Sequence, residues 1–218
     1  MRKIIEKLKK FLLTQLSPKP PTLIPPSNIE EQTELVAMTP KEVIQHENFY
    51  SIFIGIDIQG EGKETIFTVY GVHDDLVSLS IMDQLSIRAK KINDVLETAQ
   101  KLREIWSADQ IIYNSYTVEN SNVVKYLERF FKEDMLSAVR IPYGLDRHFE
   151  YNLSLFINGE VRLGIGPWDE KFGNHLSNFM MKEGPSTYCT TTAIGVEHWH
   201  NLKTQTENQP ITFEDTAE

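Results

Sequence analysis

Residues 51–72 read SIFIGIDIQGEGKETIFTVYGV, and their pattern predicts the start of a β-sheet. Isoleucine occupies alternate positions over 52–58, which is the period-two pattern of a β-strand. A Gly-rich turn leads into a second strand over 65–72, and the Asp74-Asp75 turn leads into a third strand over 76–81. Connections this short predict three adjacent antiparallel strands.

The chain that follows alternates between helical and strand patterns. The clearest helix has apolar residues at helical spacing from Ile92 to Ile105. Asn158-Gly159 is the strongest hairpin signal in the sequence. The predicted elements are helices over 86–106, 123–131, 172–181 and 192–202 and strands over 110–113, 137–141, 150–157 and 160–165. This order predicts an α/β domain with an RNase H-like mixed sheet, in which three antiparallel strands precede parallel strands and helices flank the sheet.

Charge divides the chain into a basic start and an acidic body. The net charge is -9, but residues 1–19 carry six Lys/Arg and one Glu. Residues 20–218 therefore hold 16 basic and 30 acidic side chains, a net charge of -14. Such a body is repelled by bare phosphate backbone, which counts against a dedicated DNA-binding module. A metal-dependent nuclease, whose site is acidic by necessity, is not excluded.

The first 38 residues predict an appendage to the domain. Residues 1–16 form a basic amphipathic helix, and residues 17–38 form a Pro-rich and polar linker. The apolar face of residues 3–16 suits the chain's own body, a protein partner or peripheral contact with a membrane surface. No apolar run is long enough to be a transmembrane segment.

The folded domain is predicted over 39–204, with a polar tail over 205–218. Its first helix is indicated by Thr39 as the cap and Pro40 at the first helical position. The single cysteine, Cys189, excludes an internal disulfide and fits a reducing compartment, so we expect a cytoplasmic location.

An acid lies inside the first predicted strand. Asp57 stands between Ile56 and Ile58, and an isolated ionised carboxylate in such surroundings is destabilising unless it is paired or metal-bound. The alternative is that Asp57 lies at the exposed end of the strand and bonds the turn over 60–62.

The stretch from Ile54 to Thr65 resembles the first strand and turn of the nuclease domain of phage terminase large subunits. In that family a Gly-x-Asp precedes a Gly-rich, polar turn and a second strand. The helix over 92–106, the segments Ala108–Asn114 and Val123–Leu127 and the Asn158-Gly159 hairpin are also similar. The resemblance covers roughly residues 50–203. It implies hydrolysis of DNA phosphodiester bonds by two divalent cations, Mg²⁺ or Mn²⁺.

The resemblance also implies a site of three convergent carboxylates. Asp57 matches the first position, whereas the second, at the end of the strand over 110–113, is Asn114 in this chain. The third is expected on the last helix, where Glu197 and His200 share a face. The predicted catalytic residues are Asp57 and Glu197, and the predicted metal ligands are Asp57, Asn114, Glu197 and His200. For Glu197 and His200 the alternative is an ordinary polar helix surface.

Three classes of function follow from these features. The first is a terminase-nuclease-like domain that is either a weak two-metal DNA endonuclease or a catalytically degenerate relative. The second is a non-catalytic acidic interaction module, of the immunity or adaptor type, that binds a protein partner. The acidic body, Asn114 and the tethered helix favour this second class. The third is a membrane-surface accessory protein held by residues 3–16.

Overall fold

The computed structural model describes residues 39–58, 64–118, 122–141, 154–155, 158–163 and 187–207. The predicted helices over 1–16 and 172–181, the linker over 17–38 and most of the polar tail lie outside these residues.

The described strands form one mixed sheet. They are β1 (Phe49–Ile58), β2 (Glu64–His73), β3 (Leu79–Arg88), β4 (Gln110–Asn114), β5 (Leu136–Val139) and β6 (Val161–Leu163). Their order across the sheet is β5-β4-β1-β2-β3-β6. β1, β2 and β3 are antiparallel neighbours, whereas β4 pairs in parallel with β1, β5 with β4 and β6 with β3. The predicted RNase H-like fold class is confirmed.

Helices cover both faces of this sheet. They are α1 (Pro40–His46), α2 (Ile92–Trp106), α3 (Ser115–Val118), α4 (Val123–Phe130) and α5 (Thr187–Glu207). The even-numbered isoleucines of β1 pack with the buried stripe of α2, while Phe53 packs with Ile194 and Trp199 of α5. Because β1 is central, its side chains from Ile52 to Ile58 are buried whichever face they are on.

The first described helix begins where the sequence predicts. Thr39 Oγ1 accepts a hydrogen bond from the amide of Glu42, and the Glu42 carboxylate accepts one from the amide of Thr39 at 2.7 Å. This reciprocal capping box, with Pro40 in the first turn, defines the helix start from local residues alone.

The boundary between β3 and α2 differs from the prediction of a helix from residue 86. Ser86, Ile87 and Arg88 continue β3, because each finds a backbone partner on the long strand β2. The helix begins instead at Ile92, where the Asp94 carboxylate accepts hydrogen bonds from the amides of Lys90 at 2.9 Å and Lys91 at 3.1 Å.

The hairpin predicted around Asn158-Gly159 is wrong in its described part. Ser154, Leu155 and Asn158 are helical, and the amide of Glu160 donates to the carbonyl of Leu155 at 2.9 Å. Gly159 has φ +76°, the left-handed conformation that also ends helices. β6 then joins β3 in parallel rather than pairing with the preceding segment.

In the part of the chain that the structure describes, no helix is both long and apolar enough to span a membrane.

Candidate functional site

Asp57 lies at the heart of the candidate site, near the end of β1. Its side chain is 0% exposed, so the alternative of an exposed strand end is wrong. By the alternation of a strand, Asp57 shares a face with Phe53 and Gly55. That face is covered by α5, since Phe53 belongs to the same cluster as Ile194.

Asn114 occupies the neighbouring position on β4. The parallel register pairs Ile56 with Tyr113, so Asp57 and Asn114 form the next pair along the two strands. Asn114 is also 0% exposed. The structure therefore brings these two predicted positions together at the carboxyl ends of adjacent strands.

The side-chain oxygen of Asn114 is fully engaged by the backbone. Its Nδ2 donates to the carbonyl of Ile141 at 2.9 Å, while Oδ1 accepts from the amides of Ile141 at 3.0 Å and Tyr116 at 3.2 Å. An amide oxygen has two lone pairs, and both are used here. Asn114 thus fastens the chain beyond β5 to the end of β4, and no oxygen lone pair is left for a cation.

Tyr70 of β2 connects this part of the sheet to α5. Its hydroxyl donates to the carbonyl of Thr191. Its ring lies directly under Gly195, where a Cβ would be only 2.3 Å from a ring carbon. Burial raises the pKa of Tyr70, and the nearby charge of Asp57 raises it further. Tyr70 therefore stays protonated as a donor beside Asp57.

Other buried polar groups on this face are neutral. Gln84 Nε2 donates to Thr68 Oγ1 at 2.8 Å, and both residues are buried. Thr191, at the start of α5, is 0% exposed. Sequence reasoning missed these residues, although the run Thr190-Thr191-Thr192 directly precedes the apolar residues Ala193 and Ile194.

Glu197 lies about one helical turn beyond Ile194 along α5. A Cβ on Gly55 would lie 3.4 Å from Ile194, whereas the His198 ring centroid is 4.6 Å from that of Phe53. Proceeding along α5 therefore leads away from Asp57. Phe53 and Asp57 are four residues apart, about 13 Å along a strand. The structure does not bring Glu197, next to His198, to Asp57.

His200 belongs to the same distant region. Burial lowers the pKa of His200 and Lys203 lowers it further, while Glu197 and Glu160 raise it. Glu160 immediately precedes β6, at the far edge of the sheet from β4. The charges that act on His200 are therefore those of α5 itself, Lys203 and Glu197, and that of Glu160 beside β6.

A site for two divalent cations needs several carboxylates that converge on one place, and the described donors can be compared with this requirement. Among the described residues no group of three or more His, Cys, Asp or Glu side chains could hold a metal ion. Asp57 supplies one carboxylate, and the oxygen of Asn114 already accepts two backbone hydrogen bonds. The described donors do not fit a two-cation site.

No protein-family model and no curated protein matches the chain. Among solved structures, the large terminase nuclease of a thermophilic phage is 13% identical, with a TM-score of 0.48 over 69% of this chain and 85% of that one. The terminase nuclease domain of bacteriophage SPP1 with bound Mn is 13% identical, with a TM-score of 0.47 over 74% and 92% of the two chains. The Holliday junction resolvase of fowlpox virus is 15% identical, with a TM-score of 0.46 over 69% and 99%. The resemblance inferred from the sequence is confirmed to this extent: the chain is similar in structure to viral terminase nuclease domains and to a resolvase, at low sequence identity.

Proposed function

We propose that this chain is a catalytically degenerate RNase H-like domain that acts as a non-catalytic interaction module. The observation that carries this proposal is the bonding of Asn114. At the position next to Asp57, where the resemblance calls for an acid, the side chain is neutral and its oxygen already accepts two backbone hydrogen bonds.

The identity of residue 114 matches this structural role. The Asn114 amide donates to the carbonyl of Ile141 and accepts from its amide at once, whereas an ionised carboxylate can only accept. An aspartate here would face that carbonyl with a negative charge and would place a second carboxylate beside the buried Asp57. The local bonding thus favours asparagine for reasons of stability, which is consistent with a domain that no longer holds two cations.

The partner that we propose is a protein with a basic surface. Residues 20–218 carry a net charge of -14, which repels nucleic acid and attracts basic surfaces at long range. Residues 3–16 provide a second, basic and amphipathic element for contact with a partner or a membrane surface. A cytoplasmic location remains an expectation from the sequence.

A cleavage assay on the full chain tests the loss of catalysis. Supercoiled plasmid and labelled linear DNA are incubated with the protein in Mg²⁺, in Mn²⁺ or in EDTA, beside the Asp57→Asn variant. We expect no cutting that depends on both the cation and Asp57. Cutting in Mn²⁺ that disappears in EDTA and in Asp57→Asn would contradict the proposal.

That contrary result would instead support the second candidate, a weak two-metal DNA endonuclease that uses Mg²⁺ or Mn²⁺. The observation in its favour is that Asp57 lies buried beside Asn114 at the ends of adjacent parallel strands. The further carboxylates would then have to come from outside the described residues, because Glu197 and His200 are remote from Asp57.

A further inference from the structure

We propose that α5 and β4 hold one buried water molecule between His198 and Gln110, beside the ring of Phe53. This site is separate from the Asp57 region and does not depend on the proposed function.

Gln110 is placed beside Phe53 by the sheet. The two residues are partners in the parallel register of β1 and β4. Ile112 packs in the cluster under α5, so the alternation of β4 puts Gln110 on that same face. Its Oε1 is a buried atom with no hydrogen-bond partner among the described residues.

His198 reaches the same place from α5. Its ring meets the Phe53 ring edge-on, with 4.6 Å between centroids. The residue is 5% exposed, and its Nε2 is also buried without a hydrogen-bond partner in the described structure. The two unsatisfied polar atoms therefore belong to residues that both neighbour Phe53, Gln110 as its partner in the register and His198 through the ring contact.

The chemistry of the two atoms selects the ligand. A buried polar atom without a partner is rare in folded proteins, and an ordered water commonly supplies the missing bond. Water both donates and accepts, so it satisfies the Gln110 oxygen and either tautomer of the His198 ring. An ion is disfavoured, because both groups are neutral when buried and offer no opposite charge.

This water would fasten the later part of α5 to β4. The earlier part of α5 is fastened to β2 by the bond from the Tyr70 hydroxyl to the Thr191 carbonyl. The water would add to the direct bond from the Trp199 indole to the carbonyl of Leu76, at 3.1 Å, which also holds the later part of the helix.

A double-mutant cycle on the full chain tests the site. Gln110→Leu and His198→Leu each remove one of the two polar atoms and leave the other, with the water, short of a partner. We expect each single variant to melt several degrees below the wild type. The double variant should lose clearly less than the sum of the two, because no polar atom is then left unsatisfied.

Gln84→Leu is the matched control. Gln84 Oε1 is likewise buried and lacks a hydrogen-bond partner in the described part, but β1 and β2 separate β3 from β4. Gln84 therefore lies about 14 Å from Gln110 across the sheet and outside the proposed water site, so its effect should add to that of His198. An additive cycle for Gln110 and His198, like that expected for Gln84 and His198, would overturn the proposal.

If the leucine variants fail to fold, a spectroscopic measurement on the wild type tests whether the water is present. In ¹⁵N-resolved spectra, the imidazole nitrogens of His198 should show magnetisation transfer from a long-lived water. A His198 Nε2 bonded directly to Gln110 or to another protein group, with no such transfer, would overturn the proposal.

Discussion

The hydrogen bonds of Asn114 predict that replacing its amide by a carboxylate destabilises the protein. Asn114→Asp removes the donor to the Ile141 carbonyl and sets a carboxylate against it, so we expect a loss of about 1–3 kcal/mol in the free energy of unfolding. Urea denaturation at pH 7 measures this loss. The exposed Asn122, which makes no side-chain cap bond, provides the control Asn122→Asp, expected to be nearly neutral. A stable Asn114→Asp variant that cuts DNA better than the wild type would contradict this account of residue 114.

The buried carboxyl group of Asp83 should make the stability of the protein depend on pH. Burial raises its pKa, although the indole N–H of Trp106 and the amide of Gln84 donate to its carboxylate and oppose this shift. A folded pKa above the unfolded value of 3.8 means that the ionised form destabilises the fold at neutral pH. This penalty appears as the pH rises from 3.8 through the folded pKa, and it is absent below 3.8.

Asp83→Asn removes the charge and keeps an oxygen for the Trp106 indole. The amide of Gln84 then loses its acceptor at every pH, whereas the charge penalty is removed only where Asp83 is ionised. We therefore expect the stability of the variant relative to the wild type to rise as the pH rises from 4 to 7. Urea denaturation at several pH values measures the trend. A difference that stays constant over this range would show that the charge of Asp83 is not the cause.

At the scale of elements, the crossing of α5 over the sheet depends on Gly195. A methyl group there would come within 2.3 Å of the Tyr70 ring. Gly195→Ala should therefore destabilise the protein by about 1–3 kcal/mol through overpacking, even though alanine favours helices by about 1 kcal/mol over glycine. Asn201→Ala, at an exposed position of the same helix, is the control and should not destabilise. Equal melting temperatures for Gly195→Ala and the wild type would contradict the packing described.

The elements also show what a sequence can and cannot specify. The alternating isoleucines predicted β1 and its burial, and Thr39 and Pro40 predicted the start of α1, because these signals are local. The hairpin predicted from Asn158-Gly159 is wrong, because a glycine in the left-handed conformation occurs at helix ends as well as in hairpin turns. Helical spacing likewise grouped Glu197 with His200, but it could not give the direction in which α5 crosses β1. That direction is set by tertiary contacts such as Gly195 on Tyr70, and it carries Glu197 away from Asp57.

At the scale of the whole molecule, the domain should fold without its N-terminal appendage. The first described helix is capped by Thr39 and Glu42 themselves, so nothing before residue 39 is needed to begin it. Deleting residues 1–38 should change the melting temperature by no more than a few degrees, while weakening binding to a partner or membrane surface. Circular dichroism and calorimetry on the truncated chain test this. An insoluble or molten product would mean that residues such as Leu8 and Phe11 belong to the core.

We propose that the site around Asp57 no longer holds two divalent cations. Calorimetric titration of the full chain with Mn²⁺, beside Asp57→Asn, tests this most directly, because it needs no knowledge of a substrate. We expect the two proteins to give the same weak, non-specific heats. Binding of two Mn²⁺ ions to the wild type that is lost in Asp57→Asn would contradict the claim and point to a working metal site.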